Sequence, residues 1–393
     1  MENLRNNNLA QEILERALAL KASDLHIEPT ESKVRVRVRI DGLLTELCNL
    51  PLVQYSPLVT QLKVWSGMDI AEKRVPQDGR LSFAYAGEKT DLRVATLPTV
   101  TGEKIAVRIL ACEQKLLNLN SLNFSTDTLT RYRRLFRQAN GLVLLTGPTG
   151  SGKTTTLYAT LNELDAETNN IITLEDPVEY RLPKINQVAV NRKAGMNFAA
   201  GLRSIVRQDP DIIMLGEIRD EETASIAMHA ALTGHLVLST LHTNDAVSTV
   251  YRLLDMGLPA YLVAAVLRGV VAQRLVRSIC PKCKQQYDAA MSEKVFLGYA
   301  VNEQLKLWRG DGCEYCHGSG YSGRLAVQEI LTLDKNLQAL ILAGASEDEL
   351  LIAARTTGWH SLYEDAAAKV LAGQTTVSEL WRAGIAAGGQ YVV

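Results

Sequence analysis

Residues 141–164, GLVLLTGPTGSGKTTTLYATLNEL, constrain this chain more tightly than any other stretch. The run from Gly141 to Thr146 is nearly all apolar, so it reads as a strand buried on both faces. It breaks into a glycine-rich turn before helix-forming sequence resumes. Gly147, Pro148, Thr149, Gly150, Ser151, Gly152, Lys153 and Thr154 match GxxxxGK[ST] in full, and Thr155 continues the helix. Glycines let backbone N–H groups curl around phosphate oxygens, and a helix that opens near Gly152 aims its positive end at them. Lys153 is placed to reach the terminal phosphates and Thr154 to offer a hydroxyl to Mg²⁺. The bland alternative is a turn that binds nothing, but the motif stands between a strand and a helix, where phosphate binding needs it.

The surrounding sequence repeats the pattern. NNIITLEDP, PDIIMLGE and GHLVLSTLH are short apolar runs separated by helix-sized stretches, which predicts a parallel sheet with helices on both faces over residues 126–278. Upstream the style differs. LAQEILERALAL (9–20) carries one apolar stripe, and KVRVRVRI alternates Val34, Val36, Val38 and Ile40 with Lys33 and three arginines before Asp41-Gly42. That predicts an amphipathic helix and a half-buried strand entering a hairpin. GRLSFAY, TDLRVATLP and EKIAVRIL continue the strands, so residues 1–112 are expected to form a small mixed α/β domain on an antiparallel sheet. Residues 113–125 read as linker, 279–325 as a loop-rich cysteine segment, and 326–393 as alanine- and leucine-rich helices.

Composition narrows the function. In 393 residues, 42 Lys plus Arg balance 43 Asp plus Glu, so no overall basic field argues for direct nucleic-acid binding. The polar start MENLRNNNLAQ does not read as a secretory signal. The longest apolar candidate, 258–278, is interrupted by Arg268, Arg274 and Arg277, which excludes a bilayer span there. A cytoplasmic protein is expected.

Candidate chemistry gathers at strand ends. DPDIIMLGEIRD runs from a buried strand through Gly216 into Glu217, and a carboxylate at the C-terminal end of a strand in such a sheet lies near the phosphates. The metal-binding acid usual at that strand end is replaced by Gly216, so Glu217 reads as the group that orients or activates the attacking water. Glu175, Asp176 and Glu179 follow a second strand. His235 and His242 bracket a third, and His242 at its end is placed to sense the terminal phosphate. Cys280, Cys283, Cys313 and Cys316 form two CxxC pairs 29 residues apart, a spacing suited to one tetrahedral Zn²⁺. Cys316-His317 also spells the c-type haem attachment string, which needs export that nothing here directs. Cys48 and Cys112 read as ordinary buried thiols.

Taken together, ASDLHIEP (22–29), PQDGR (76–80), TDLRVATLPT (90–99), the P-loop, LEDPVEY, GEIRD and LSTLHTND resemble the secretion ATPase superfamily. The match is to its type II secretion ATPase and type IV pilus assembly ATPase branch. The glycine before Glu217 is a habit of that family. The resemblance implies a PAS-like first domain, a RecA-like P-loop core, a tetracysteine zinc insertion and C-terminal helices. It implies ATP, Mg²⁺ and Zn²⁺ as ligands, Glu217 as catalytic glutamate, and Glu175 as an acid near metal and water. Arg80 and Arg93 match arginines that the first domain brings to the nucleotide, and Arg203 and Arg207 match further charge-stabilising positions. It also implies a homo-hexamer at the cytoplasmic face of the inner membrane, acting on pilin or pseudopilin assembly through a polytopic platform protein. A retraction or DNA-uptake motor is the alternative within the class, and a non-hydrolysing nucleotide-dependent scaffold the alternative outside it. Many members carry a further N-terminal domain that docks on an inner-membrane partner, whereas this chain begins almost at the second domain.

Overall fold

A computed structural model of the protein describes residues 9–110 and 117–386, so Cys112 lies outside the described residues. The chain divides into two compact units, Met1–Glu113 and Gln114–Val393.

The first unit contains α1 (Leu9–Ala19), β1 (Asp24–Pro29), β2 (Val34–Ile40), β3 (Leu43–Leu50), α2 (Tyr55–Trp65), β4 (Gln77–Tyr85), β5 (Glu88–Thr99) and β6 (Gly102–Leu110). The strands form one antiparallel sheet in the order β3-β2-β1-β6-β5-β4. Alternation decides its faces. Val34, Val36 and Val38 are buried with Leu25, Ile27, Ile105 and Val107 against apolar residues of α1 and α2, while Arg35 and Arg37 turn to the other side and pair with Glu28 at 3.1 and 2.8 Å. Asp41 and Gly42 both hold positive φ, 48° and 87°, the geometry of a tight hairpin whose twist suits the strands it joins. One ion pair is interred here, Lys63 to Glu103 at 2.6 Å, with the lysine also donating to the Glu72 carbonyl. Cys48 is half-buried on β3.

The second unit begins its regular structure with α3 (Thr126–Phe136), β7 (Gly141–Thr146), α4 (Lys153–Glu163), β8 (Ile171–Glu175), β9 (Asn186–Ala189), α5 (Phe198–Ile205) and β10 (Ile212–Leu215). It continues with α6 (Glu221–Leu232), β11 (Leu236–Leu241), α7 (Ala246–Asp255), α8 (Ala260–Val266) and β12 (Leu267–Ile279). Then come β13 (Lys284–Asp288), α9 (Met291–Phe296), β14 (Lys306–Gly310), β15 (Tyr321–Thr332), α10 (Lys335–Ala343), α11 (Glu347–Thr356), α12 (Leu362–Leu371) and α13 (Val377–Arg382). Seven strands form one sheet in the order β15-β12-β7-β11-β10-β8-β9, parallel apart from β15. Leu142 and Leu144 pack into one core and Val143 and Leu145 into another, so β7 is covered on both faces.

Two segments differ from the sequence reading. Residues 117–125 are not a free tether: Leu119 and Leu122 are buried with Tyr132 and Leu161 in the core of the second unit, where a short helical turn at Leu119–Ser121 replaces periodicity. The stretch after 325 is not helical from its start. YSGRLAVQEILT is β15, antiparallel to β12 from Gly269↔Thr332 to Ile279↔Tyr321, and its alanine and leucine fill a buried strand. The cysteine segment is therefore an insertion between two paired strands.

Candidate functional site

Sheet order brings the sequence's separate motifs to one edge. Register pairs Thr146 with Leu241, Met214 with Leu238, and Leu215 with Leu174. The residues that leave these strands are Gly147 after β7, His242 after β11 and Gly216-Glu217 after β10, beside Glu175 at the end of β8. The parallel arrangement points all four ends the same way.

The loop from Gly147 to Gly152 is a cradle built by close approach. Gly147 has φ 141°, and a Cβ there would stand 2.3 Å from the Gln273 carbonyl and 2.8 Å from Ser151 Oγ. Gly152, at φ 85°, caps α4 in the left-handed region, which frees the helix N-terminus. Ser151 Oγ is buried without a hydrogen-bond partner, an acceptor-donor facing into the loop. Lys153 is buried, and its Nζ donates to the Gly147 carbonyl at 2.7 Å and the Pro148 carbonyl at 3.1 Å. Burial pulls its pKa down to about 8, opposed by the negative charge of Glu217 and assisted by the positive charge of Arg274. Exposed Thr154 and half-exposed Thr155 follow on the first turn of α4. Glycine backbone, helix terminus and a cation in one loop fit a phosphate chain.

Glu217 lies between Arg219 and His242. Arg219 Nη2 is 2.5 Å from one carboxylate oxygen, and His242 Nε2 is 3.6 Å from the other. Thr243, next to His242, is tied to the end of the P-loop strand: Thr146 and Thr243 hydroxyls are 2.6 Å apart, and the Thr243 amide donates to Thr146 Oγ1 at 2.8 Å. Glu175 is placed differently. It is buried, and its oxygens accept from Thr173 Oγ1 at 2.6 Å, from Gln187 Nε2 at 3.2 Å and from the Tyr158 hydroxyl. It belongs to an internal hydrogen-bonded cluster at the strand end. Arg203 and Arg207 are exposed: Arg203 pairs with Glu222 at 2.6 Å, and Arg207 donates to the Arg203 carbonyl at 2.7 Å. His235 turns away to the Ala230 carbonyl at the end of α6.

Arg80 and Arg93 lie in the first unit as direct cross-strand partners on β4 and β5. Register extends the row to Arg108 on β6, and Arg108 reaches Asp24 of β1 at 3.4 Å. Arg108 was not singled out from the sequence, although the alternation in EKIAVRIL puts it on the face opposite Ile105, Val107 and Ile109. Gln273 and Arg274 were missed too. Gln273 is buried, donates from Nε2 to the Ser151 carbonyl at 2.6 Å, and accepts from Thr156 Oγ1 at 2.9 Å. Arg274, also buried, donates to Asn244 beside His242. Their signal was a polar pair inside the apolar run GVVAQRLV, which a buried strand carries only where partners wait.

The cysteines form a second centre. Cys280 follows β12, Cys283 precedes β13, and Cys313 caps a short turn at Glu314–Cys316 that Cys316 ends. Sulfur separations are 3.8 Å for Cys280–Cys313, 3.8 Å for Cys283–Cys316 and 3.7 Å for Cys313–Cys316, and all four lie within 4.8 Å of one another. A tetrahedron with Zn–S near 2.3 Å has S···S edges of about 3.8 Å. Burial pushes the Cys316 thiol up, but the amides of Cys313 and Gly320 donate to its sulfur at 3.2 and 3.3 Å and hold it at about 6. The donor set and spacing fit zinc.

The chain matches the family model described as type II/IV secretion system protein over residues 4–382. It is 47% identical over 370 residues to type II secretion system protein HxcR of Pseudomonas aeruginosa, covering 94% of this chain and 75% of that one. With type II secretion system ATPase E of Vibrio cholerae it shares 46% over 374 residues, 95% and 74% of the two chains. With type IV pilus assembly ATPase PilB of Thermus thermophilus it shares 44% over 372 residues, 94% of this chain and 42% of the relative. Among solved structures, the Legionella pneumophila ATPase DotB superposes with a TM-score of 0.70 at 23% identity, covering 97% of each chain. The pilus retraction motor PilT with bound ADP gives 0.63 at 25%, again covering 97% of each. The chain is an ATPase, and it belongs to the type II/IV secretion system protein family.

Proposed function

We propose that this ATPase powers pilin or pseudopilin assembly for type II secretion or a type IV pilus. It would work as a homo-hexamer at the cytoplasmic face of the inner membrane, against a polytopic platform protein. The observation that carries the reading is the convergence of the P-loop, Glu217 and His242 on neighbouring strand ends. The relatives' names favour assembly over retraction or DNA uptake, and the presence of both Lys153 and Glu217 favours hydrolysis over a passive scaffold.

In this reading Lys153 exchanges its bonds to the Gly147 and Pro148 carbonyls for the terminal phosphates of ATP. Loop amides and the N-terminus of α4 hold the remaining phosphate oxygens. Thr154 would hold Mg²⁺, which supplies charge neutralisation at the phosphates. Glu217 takes the proton of the attacking water, and its contacts with Arg219 and His242 aim its carboxylate. Glu175 buttresses the strand end from its buried cluster. Arg80 and Arg93 add positive charge at the nucleotide, and exposed Arg203 and Arg207 serve as further charge-stabilising positions. The four cysteines hold Zn²⁺ as a structural staple.

Purified Glu217→Gln should keep ATP affinity while turnover falls by roughly 10²- to 10⁴-fold, the usual worth of a general base. Lys153→Ala should instead weaken nucleotide binding itself. Normal hydrolysis by Glu217→Gln would remove the mechanism.

A further inference from the structure

Glu329 is a buried carboxylate that the reaction above does not use. It lies on β15, opposite Ala272 of β12. One oxygen accepts from the Ala246 amide at 2.5 Å and the other from the Leu362 amide at 2.8 Å. Those amides open α7 and α12, so one side chain takes an orphan donor from the N-termini of two helices that are far apart in sequence. Both helices already have N-cap side chains, Asp245 and Ser361. Glu329 therefore adds a tie between the helices that neither needs as its cap. Burial pushes its pKa up to about 8, opposed by the two amides and by Arg274. A carboxyl held at that cost is kept by the two helix ends it joins.

What it joins is informative. The turn leading into α7 is His242-Thr243-Asn244-Asp245. Through it His242 faces Glu217, Thr243 grips Thr146 at the P-loop, and Asn244 accepts from Arg274. On the other side is α12, within the C-terminal helices. The neighbouring Gln328 makes a second bond to that helix, its amide donating to Asp365 at 2.8 Å, while its side chain approaches Gln273, the residue that holds the Ser151 carbonyl. Two adjacent residues of β15 thus bind α12, and they connect to the nucleotide site through the start of α7 and through Gln273.

We propose that Glu329 is a positioning residue that locks the His242 turn to α12, so that displacement of that turn by the terminal phosphate is passed to the C-terminal helices. This rests on the reading of the P-loop site as the ATP site, and it adds an output path that site alone does not specify. Two discrete arrangements of a tied turn and helix are the physical form such coupling takes.

Hydrogen exchange with the full chain tests it. Mg²⁺ and the β,γ-imido analogue of ATP should change the exchange of amides 362–371 in wild-type protein by about threefold or more, an opening equilibrium biased from a distance. In Glu329→Gln and Glu329→Ala that nucleotide-dependent difference should vanish, while analogue affinity stays within about threefold and kcat falls about tenfold with KM little changed. A purely structural role would raise exchange in α12 equally with and without nucleotide. The proposal is overturned if wild-type α12 ignores an analogue shown to be bound in the same sample, or if both variants keep the full response. If the wild-type protein binds no analogue at all, the ATPase reading fails and the coupling falls with it; the binding measurement tells the two failures apart.

Discussion

Replacing Gln273 by leucine isolates one interior contact that shapes the phosphate loop. The two side chains are close in volume, so packing is largely kept. Two strong hydrogen bonds are lost, Nε2 to the Ser151 carbonyl at 2.6 Å and Thr156 Oγ1 to Oε1 at 2.9 Å, together with a long one from Gln328 Nε2 to Oε1 at 3.5 Å. Each buried group left unmade costs about 1–3 kcal/mol. Thr156 can recover part by turning to the carbonyl four residues back, that of Gly152 at the N-cap of α4, as helical threonines do. The net penalty is then about 2–4 kcal/mol, which at 1.36 kcal/mol per decade is roughly 30- to 1000-fold. If the loop relaxes in the free protein and is rebuilt around phosphate, that factor appears in ATP affinity. If the loop stays fixed, it appears as a melting temperature lower by roughly 4–16 °C. Titration with a fluorescent ATP analogue and a thermal melt on the same preparation read both. Affinity within threefold of wild type together with a melting point within about 2 °C would refute the claim that Gln273 holds the loop.

Three further outcomes are expected. Lys153 loses its proton near 8 in the free protein, and only the protonated amine attracts phosphate, so ATP affinity should fall towards tenfold per pH unit above about 8; Lys153→Arg, which stays charged, should flatten that slope in a binding titration. Elemental analysis should find one zinc per chain, and Cys280→Ser should lose it and expose residues 280–320 to protease while nucleotide binding persists, since structural zinc contributes about 10–16 kcal/mol of apparent binding energy. ATPase activity per protomer should rise with protein concentration, and Arg80→Ala or Arg93→Ala should lower kcat far more than ATP affinity, with equal rates in monomer and assembly by sedimentation-matched assay counting against these arginine roles and the hexamer.

The legible parts of this molecule are those written in local sequence. Apolar runs of four to six residues that end in Gly147, Glu217 and His242 announced a parallel sheet and the edge where those residues gather, because each strand and the group that follows it are contiguous. The alternation of KVRVRVRI marked its own buried and charged faces. The four cysteines showed their shared site through spacing alone. What stayed hidden depends on pairing between distant strands. Gln273 and Arg274 matter because β12 lies next to β7, and no local pattern states that neighbour. Arg108 joins Arg80 and Arg93 only through cross-strand register. Glu175 reads as an open acid until Tyr158 and Gln187, one on α4 and one on β9, are seen to occupy it. YSGRLAVQEILT lacks strict alternation because most of it is covered on both sides, so it passes for the start of a helix.

The pairing of β15 with β12 decides where this chain can be cut. Composition turns rich in alanine and leucine at 326, an inviting place to end a shorter protein and discard a helical tail. A chain ending there would strip Gly269–Arg274 of their partners Val327–Thr332, leaving the backbone of a long, apolar strand unpaired along one edge. Such an edge recruits other chains. It would also take away Glu329 and Gln328, and with them the wall behind Gln273 and the phosphate loop. The start of the tail is therefore part of the sheet that carries the proposed catalytic residues, and a fragment meant to keep that site intact has to keep the strand that closes its far side.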